Sequence, residues 1–298
     1  MFRILVLADI HGNISAVSKL IRRTRNQKFD LILIAGDLPA TTPPLLMGQY
    51  MLTHPFRALS KTNYTRWVYK QDGRTKFLYY QIKSTKTILT LLESLDIPII
   101  YTPGNVDCAE ILSLIEEWNS KKVYLLNLSS INIGSVEIFG FGGSEFVPKK
   151  YTKPLCEMEF TPKDFCKKTQ ELLNRDNKPK KRGIKILLTH EPPRFNFYFH
   201  GKQVNGGSRS ISKMLREIKP KISIFGHYHE FPIIKKELQT VLLNPGPLAC
   251  YNFGIIEING NKLRFKLKKL RPMKFDSTNI IYRYRSFPSH FKESFQLV

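Results

Sequence analysis

The chain begins with short apolar runs that predict alternating strands and helices. Residues 2–7 and 31–35 are nearly all apolar, which is typical of buried parallel strands. Between them, apolar residues recur at helical spacing after Asn13, a residue type that can cap a helix. A strand, a helix and a strand within so few residues form a compact unit, so the pattern indicates a parallel α/β sheet.

The same alternation continues through most of the remaining sequence. Further helices are predicted over 84–95, over 109–118 and from a cap at Ser208 to Ile218. Further strands are predicted over 97–101, 123–127, 130–133, 136–141, 184–188, 222–225, 241–243, 254–258 and 263–267. Polar and proline-rich stretches over 174–182 and 191–205 are predicted to be loops.

A long insertion separates the second and third predicted strands, at about residues 38–96. Asp72-Gly73 is a strong turn signal between Tyr64–Gln71 and Arg74–Lys83, so these segments are predicted to form a hairpin. Basic and aromatic residues interleave along it. The first interpretation is one packed aromatic face and one solvated basic face; the alternative is stacking on nucleotides or single strands.

Composition excludes several classes of protein. Hydrophobic residues make up 42% of the 298 positions and charged residues 24%, so the chain is not intrinsically disordered. The apolar runs are too short for a membrane span, and the first is too short for a signal peptide. The four cysteines lack metal-binding spacing and are expected to be reduced. We therefore expect a soluble cytoplasmic protein.

The chain is strongly basic, with a formal net charge of +23. A positive electrostatic field attracts phosphorylated substrates and polyanions, so nucleic acid is a possible partner. The alternative interpretation is that the charge only keeps the protein soluble. The most basic stretch starts near Lys262, where basic residues nearly alternate with others. This alternation predicts the outer face of an edge strand protected by charge, with a polyanion-binding surface as the alternative.

Five short polar motifs stand where predicted strands end, and four of the seven histidines lie in them. The motifs are Asp9-Ile10-His11, Gly36-Asp37, Gly104-Asn105-Val106-Asp107, Thr189-His190 and Gly226-His227-Tyr228-His229. Each motif alone has a structural explanation, such as a cap, a turn or a buried histidine. Together they indicate one site, because the carboxyl ends of strands in an α/β sheet line one crevice.

The residue types in these motifs indicate a metal centre. Residues i and i+2 of an extended chain point to the same side, so Asp9 and His11 can face one metal ion. His227 and His229 can do the same, or can divide between two neighbouring ions. Imidazole, carboxylate and amide groups without thiolate suit manganese, iron, zinc or nickel. The glycines before the ligands predict sharp turns or a close approach of the backbone.

The order of these motifs resembles the calcineurin-like metallophosphoesterases, from residue 1 to about residue 270. Gly207-Ser208-Arg209 and Asn244-Pro245-Gly246 look like the small prokaryotic and archaeal members related to cyclic-nucleotide phosphodiesterases. The resemblance implies an α/β fold, a four-layer α/β/β/α sandwich with a two-metal site at the strand ends. The phosphoesterase domain would cover 1–271, and 272–298 would be a basic C-terminal extension.

The resemblance also implies roles for the motif residues. One ion would be held by Asp9, His11, Asp37 and His229. The other would be held by Asp37, Asn105, His190 and His227. Two divalent cations are thus expected, manganese first, with iron, zinc or nickel as alternatives. The implied reaction is hydrolysis of phosphoesters, with phosphodiesters expected first, by a hydroxide bridging the two ions.

The residues expected to act in catalysis are Asp37, Asn105 and His11. Substrate contacts are expected from Asn13, at the start of a helix, and from Arg194 and His200 in the loop after His190. A nuclease is the alternative enzyme, and a catalytically weak interaction scaffold on the same fold is the alternative outside catalysis. Retention of every ligand argues against the scaffold.

One position departs from the family pattern. Most members carry a histidine that protonates the leaving group where this chain has Val106. Losing such an acid costs about 10²–10⁴-fold, which favours good leaving groups, a substitute acid or a lapsed enzyme. Asp107 is expected to cap the helix that begins near Ala109, and anchoring of the neighbouring ligands is its alternative role.

Overall fold

The protein is described by a computed structural model over residues 1–40, 78–118, 120–146, 157–175, 183–199, 202–271 and 294–297. The strands are β1 (Phe2–Leu7), β2 (Leu31–Ala35), β3 (Ile99–Thr102), β4 (Val123–Leu125), β5 (Ser129–Ile133), β6 (Val136–Phe141), β7 (Ser144–Glu145), β8 (Glu159–Phe160), β9 (Ile184–Thr189), β10 (Phe195–Phe199), β11 (Lys202–Gly206), β12 (Ile222–Ile224), β13 (Ile233–Glu237), β14 (Thr240–Asn244), β15 (Asn252–Asn259), β16 (Lys262–Lys269) and β17 (Ser294–Leu297). The helices are α1 (Ile14–Thr24), α2 (78–93), α3 (Ala109–Glu116), α4 (Pro162–Arg175) and α5 (Arg209–Ile218).

Two large sheets form the centre of the fold. The first has seven strands in the order β17-β16-β15-β1-β2-β3-β4, and the second has six in the order β13-β14-β12-β9-β6-β5. Strands β1 to β4 pair in parallel, and so do β6, β9, β12 and β14. The carboxyl ends of these parallel strands carry the site described below.

Alternate residues of each strand face different layers. In β1, Ile4 and Val6 pack between the two sheets, against residues such as Ile224, whereas Leu5 and Leu7 pack beneath the helices on the outer face. This division follows from the two-residue repeat of a strand. A strand that is buried on both faces has few polar positions, which explains the nearly continuous apolar run in the sequence.

Helices cover the outer face of each sheet. Residues of α1, α2 and α3 form one core cluster with the first sheet. On the second sheet, Phe165 of α4 and Ile211 of α5 pack with Phe139 and Phe141 of β6. The result is the predicted four-layer α/β/β/α sandwich.

The helix before the last ligand motif starts where the sequence predicts. The Ser208 side chain accepts hydrogen bonds from the backbone N–H groups of Ser210 at 3.1 Å and Ile211 at 3.2 Å. These bonds satisfy two of the donors that a helix N terminus leaves without intrahelical partners.

The predicted hairpin in the insertion is wrong over its last six residues. Residues 78–83 belong to α2, whereas the rest of the predicted hairpin lies outside the described residues. Leu78 and Ile82 are four residues apart and pack on the same core cluster as Ile88, Leu89 and Leu92. This helical repeat continues into the predicted helix, so the helix starts earlier than expected.

The segment 191–205 is not a loop throughout, because β10 and β11 form an antiparallel hairpin within it. Phe195 is buried and packs near Phe225, with ring centroids 5.9 Å apart. Phe197 lies two residues further on and packs near Phe231 at 4.4 Å. Phenylalanine at every second position is the two-residue repeat of a strand. The neighbouring prolines and glycines are typical of loops, and they make this repeat hard to recognise in the sequence.

The basic strand β16 is not an edge strand, because it lies between β15 and β17. Its alternation is nevertheless as predicted. Leu263 and Phe265 are buried in the core between the sheets, whereas Lys262 and Arg264 are exposed. The pairing residues 294–297 of β17 are separated from β16 by a long stretch of sequence, so no local pattern could indicate them.

Two further findings bear on the cysteines and on membranes. Cys108, Cys166 and Cys250 are free thiols, of which only Cys108 is buried; Cys156 lies outside the described residues. Among the described helices, none is long and apolar enough to cross a membrane.

Candidate metal centre

Five parallel strands bring the predicted ligands to one edge of the fold. In the first sheet, β1 leads to Asp9 and His11, β2 to Asp37 and β3 to Asn105. In the second sheet, β9 leads to His190 and β12 to the pair His227 and His229. The two sheets are joined here, because the backbone N–H of His227 donates to the carboxylate of Asp9 at 3.1 and 3.2 Å.

The loops that carry the ligands adopt a backbone conformation that is uncommon outside glycine. Asp9, His11, Asp37 and His227 have φ angles of 50°, 46°, 53° and 65°. The left-handed region costs about 1–2 kcal/mol per residue, although aspartate and histidine enter it more readily than most residues. Hydrogen bonds between the loops after β1 and β2 offset this cost, since His11 N–H donates to Asp37 O at 2.9 Å.

Two glycines are required by close approach. A Cβ on Gly226 would lie 2.6 Å from Asp9 Oδ2, and a Cβ on Gly36 would meet the ring of His190 and lie 2.7 Å from Gly104 Cα. Gly36 also has a φ of 80°. The predicted close approach of backbone to ligands is confirmed at both positions.

A first cluster consists of Asp9, His11, Asp37 and His229, whose ligand atoms all lie within 4.8 Å of one another. His229 Nε2 lies 3.0 Å from Asp9 Oδ1 and 3.2 Å from His11 Nε2. His11 Nε2 lies 3.5 Å from Asp37 Oδ2. This set equals the four residues that the resemblance assigns to one ion.

A second cluster lies on the other side of Asp37. His190 Nε2 is 3.5 Å from Asp37 Oδ1 and 3.0 Å from Asn105 Oδ1. The ring of His227 stands beside that of His190, with centroids 5.0 Å apart. Asp37 therefore directs one oxygen to each cluster, which is the arrangement expected of a bridging carboxylate.

The second cluster brings together atoms that accept hydrogen bonds. His190 Nδ1 lies 2.9 Å from the carbonyl oxygen of Ala35, which can only accept, so Nδ1 carries the proton. In the neutral ring Nε2 is then an acceptor, and it faces the oxygens of Asn105 and Asp37. Once His190 is neutral, these converging acceptors repel one another unless a proton or a metal ion lies among them. The donor set therefore fits a divalent metal ion.

The cluster residues shift one another's pKa values. Burial alone would raise the pKa of Asp9, but His229, His190 and His227 outweigh it, and the pKa is lowered. Burial alone would lower the pKa of His190, but the carboxylates of Asp37 and Asp9 outweigh it, and the pKa is raised. Asp9 thus stays ionised near neutral pH, whereas His190 retains a proton to higher pH than an ordinary histidine.

Metal binding at the second cluster is expected to weaken as the pH falls. A cation must displace the proton from His190 Nε2 below the raised pKa, so affinity should fall about tenfold per pH unit there. Because the pKa is raised, the fall should begin above pH ~6.5. Calorimetric titration with Mn²⁺ at pH 8, 7 and 6 measures this. Affinity for both ions that stays constant over that range would contradict it.

Asp107 does not cap α3; it holds the ligand loops instead. The cap position is Cys108, whose side chain makes no capping hydrogen bond. Asp107 Oδ2 accepts from the backbone N–H of Asp37 at 3.1 Å and from that of Gly104. Burial and the neighbouring Asp37 raise the pKa of Asp107 to about 7. The anchoring role, weighed as the alternative, is the one observed.

Val106 offers no proton to a leaving group. Its side chain is apolar and 7% exposed, and its backbone takes part in the site. The N–H of Val106 donates to Asp37 Oδ1 at 3.1 Å, and its carbonyl accepts from Gln81 Nε2 at 2.8 Å. Gln81 is fully buried on α2, so this helix supports the loop that carries Asn105.

The three residues that are predicted to contact substrate lie in different surroundings. Asn13 uses both ends of its amide within the protein, accepting from Ala16 N–H and donating to Ala249 O, each at 2.9 Å. Arg194 is exposed and donates to the Asn205 side chain on the hairpin. His200 lies outside the described residues. Contacts of these residues with substrate stay predictions.

Two glutamates close to the predicted ligands, Glu159 and Glu191, and a third beside Glu191, Glu145, were not predicted. Glu159 Oε1 lies 3.0 Å from Asn105 Nδ2, and Glu191 Oε2 lies 3.7 Å from His227 Nε2. Burial and the neighbouring Glu145 raise the pKa of Glu191 to about 8, although His190 opposes the shift. Glu191 directly follows a ligand in sequence, which was a signal. Nothing local marks Glu159 or Glu145.

Sequence similarity to known proteins extends over most of the chain. The model of the calcineurin-like phosphoesterase family matches residues 2–231. An uncharacterised protein of Methanocaldococcus jannaschii is 28% identical over 177 residues, which are 57% of this chain and 73% of that protein.

Solved structures share the fold. One crystal structure has a TM-score of 0.65 at 15% identity and covers 90% of this chain and 98% of its own. A crystal structure of a protein from Thermus thermophilus has a TM-score of 0.58 at 15% identity and covers 91% of this chain and 99% of its own. At this identity the likeness shows the fold alone.

Proposed function

Because the chain belongs to the calcineurin-like phosphoesterase family, it is a metal-dependent hydrolase of phosphoester bonds, and we propose that its substrates are phosphodiesters. The observation that supports a two-metal reaction is that the two carboxylate oxygens of Asp37 face different clusters, Oδ2 towards His11 and Oδ1 towards His190. Phosphodiester preference rests on the resemblance to small prokaryotic and archaeal members.

The residues that would hold each ion follow from the two clusters. Asp9, His11, Asp37 and His229 would hold one, and Asp37, Asn105, His190 and His227 the other. When bound, two divalent cations would make a hydroxide nucleophile available at neutral pH and would neutralise charge on the phosphoryl oxygens. Manganese is the first proposal, with iron, zinc or nickel as alternatives.

The chain's own residues then position the reacting groups. Asp37 keeps the two clusters at a fixed separation, and Asp107 holds the backbone of Asp37 in place. His11 turns Nε2 into the first cluster, so it acts there as a ligand. Because Val106 has no acidic proton, this position supplies no acid to the leaving group. Its absence favours esters whose leaving group is already stable as an anion.

A nuclease activity is the second candidate, and the observation that favours it is the net charge of +23. Nucleic acid as a partner is proposed on the same ground. An interaction scaffold is less well supported, because the chain retains every ligand that the family pattern requires. A cytoplasmic location stays a prediction.

Turnover across a substrate panel tests the proposal. We expect bis-nitrophenyl phosphate to be hydrolysed faster than nitrophenyl phosphate, only with added Mn²⁺ or a related cation, and not in the presence of a chelator. The panel continues with cyclic nucleotides and short oligonucleotides at two salt concentrations. Faster turnover of the monoester would overturn the phosphodiester assignment, and cleavage of oligonucleotides alone would favour the nuclease.

A further inference from the structure

We propose that Glu159 is a positioning residue that orients the amide of Asn105 so that its oxygen, and not its nitrogen, faces the second cation. The inference rests on the two-ion site of the proposed function. Asn105 Nδ2 lies 3.0 Å from Glu159 Oε1, and Asn105 Oδ1 lies 3.0 Å from His190 Nε2.

The amide of asparagine has two ends of nearly equal shape, and only one of them can bind a cation. The amide oxygen accepts, whereas the NH₂ group only donates. An ionised carboxylate only accepts, so it selects the NH₂ end and leaves the oxygen for the cluster. Rotating the Asn105 amide by 180° would place its oxygen against the Glu159 carboxylate and its NH₂ group towards the cation, and both contacts would be repulsive.

Glu159 is held firmly in the position that this role requires. It lies in β8, which pairs in parallel with β7 opposite Ser144. Two backbone hydrogen bonds hold this pair together. Ser144 N–H donates to Met158 O at 3.0 Å, and Phe146 N–H donates to Phe160 O at 2.6 Å. The next residue, Phe160, points the other way and packs near Phe165 of α4, with centroids 6.2 Å apart.

The carboxylate also adds negative charge beside the second cluster without being a ligand in it. Residues that orient metal ligands in this way typically change metal affinity by about 10–100-fold when they are replaced. The effect should be largest at the second ion, because Asn105, which Glu159 contacts, belongs to the second cluster and not to the first.

Mn²⁺ titration by calorimetry, followed by the stoichiometry and affinity of each ion, tests the proposal. Glu159→Leu should bind the first ion as the wild type does and the second about 10–100-fold more weakly. Glu159→Gln should lose less, because its amide oxygen still accepts from Asn105. Glu157→Gln is the matched control, since Glu157 is an exposed neighbour that contacts the backbone N–H of Ala109 at 3.4 Å.

A double-mutant cycle separates positioning from a general structural role. An aspartate at 105 has two equivalent oxygens and needs no orienting partner. In the Asn105→Asp background, Glu159→Leu should therefore leave affinity for the second ion unchanged or raise it, because a like charge is removed. An equal loss in both backgrounds would overturn the proposal, and so would a Glu159→Leu protein with wild-type affinity for both ions.

The result is independent of the substrate question. Wild-type protein that binds two ions, loses one in Glu159→Leu and hydrolyses no phosphodiester would support the positioning role and refute the proposed function. Should Glu159→Leu fail to fold, Glu159→Ala, which also lacks an acceptor, carries the test in both backgrounds. The alanine variant should bind the second ion more weakly than Glu157→Gln does, and equal affinity in the two would count against the proposal.

Discussion

Asp37→Asn is expected to abolish turnover of phosphoesters and to lower the metal content of the protein. Asp37 has an oxygen facing each cluster, Oδ2 at 3.5 Å from His11 and Oδ1 at 3.5 Å from His190. An asparagine there keeps the shape but replaces one oxygen by an NH₂ group and removes the negative charge that would lie between the two cations of the proposed site. Because the cations supply several kcal/mol of transition-state stabilisation and about 1.36 kcal/mol is tenfold, we expect a loss of more than about 10³-fold.

Metal analysis of purified protein and turnover of bis-nitrophenyl phosphate measure the two effects of Asp37→Asn. The fold should be retained, because Oδ1 of an asparagine still accepts from Val106 N–H, and thermal unfolding checks this. Asp96→Asn is a matched control at an exposed aspartate that pairs with Lys122 away from the ligands. Two tightly bound ions in Asp37→Asn would refute the bridging role.

The second large expected effect is a strong dependence of the hydrolysis rate on the leaving group, and its expected cause is the valine at position 106. Without an acid at this position, the leaving oxygen departs as an anion, which is easy for nitrophenolate and hard for an alkoxide. We expect nitrophenyl esters to turn over much faster than alkyl diesters, and Val106→His to narrow that gap by part of the ~10²–10⁴-fold that general acid catalysis supplies. The kcat/KM for a series of diesters with graded leaving groups measures the slope.

Controls for Val106→His must separate the proton from the change of shape. The side chain is buried and its backbone holds Asp37 and Gln81, so unchanged thermal stability and metal content are required first. Val106→Asn is polar but supplies no proton at neutral pH, and it should leave the gap open. His200, which follows the predicted ligand His190 in the sequence, is the candidate substitute acid, and His200→Ala should then slow turnover of alkyl esters; unchanged turnover would rule out this role. A wild type with no leaving-group preference would show that another group donates the proton.

The sequence alone predicted the candidate ligands and the strands that lead to them. Asp9, Asp37 and His190 each follow an apolar run, and a strand that is buried on both faces can be recognised from its own residues. In a parallel sheet the carboxyl ends of all such strands lie at the same edge, so residues that follow these strands are expected to lie near one another. That is why the site could be predicted without knowing how the two sheets pack.

The supporting residues were decided by the tertiary structure. Asp107 looks like a helix cap from its neighbours, but it accepts from the backbone of Asp37, which lies 70 positions away. Glu159 contacts Asn105 across 54 positions, and its own stretch of sequence carries no motif. A hydrogen bond depends on distance and direction between two atoms, and for residues so far apart these are set only when the sheets and the β7–β8 pair have packed.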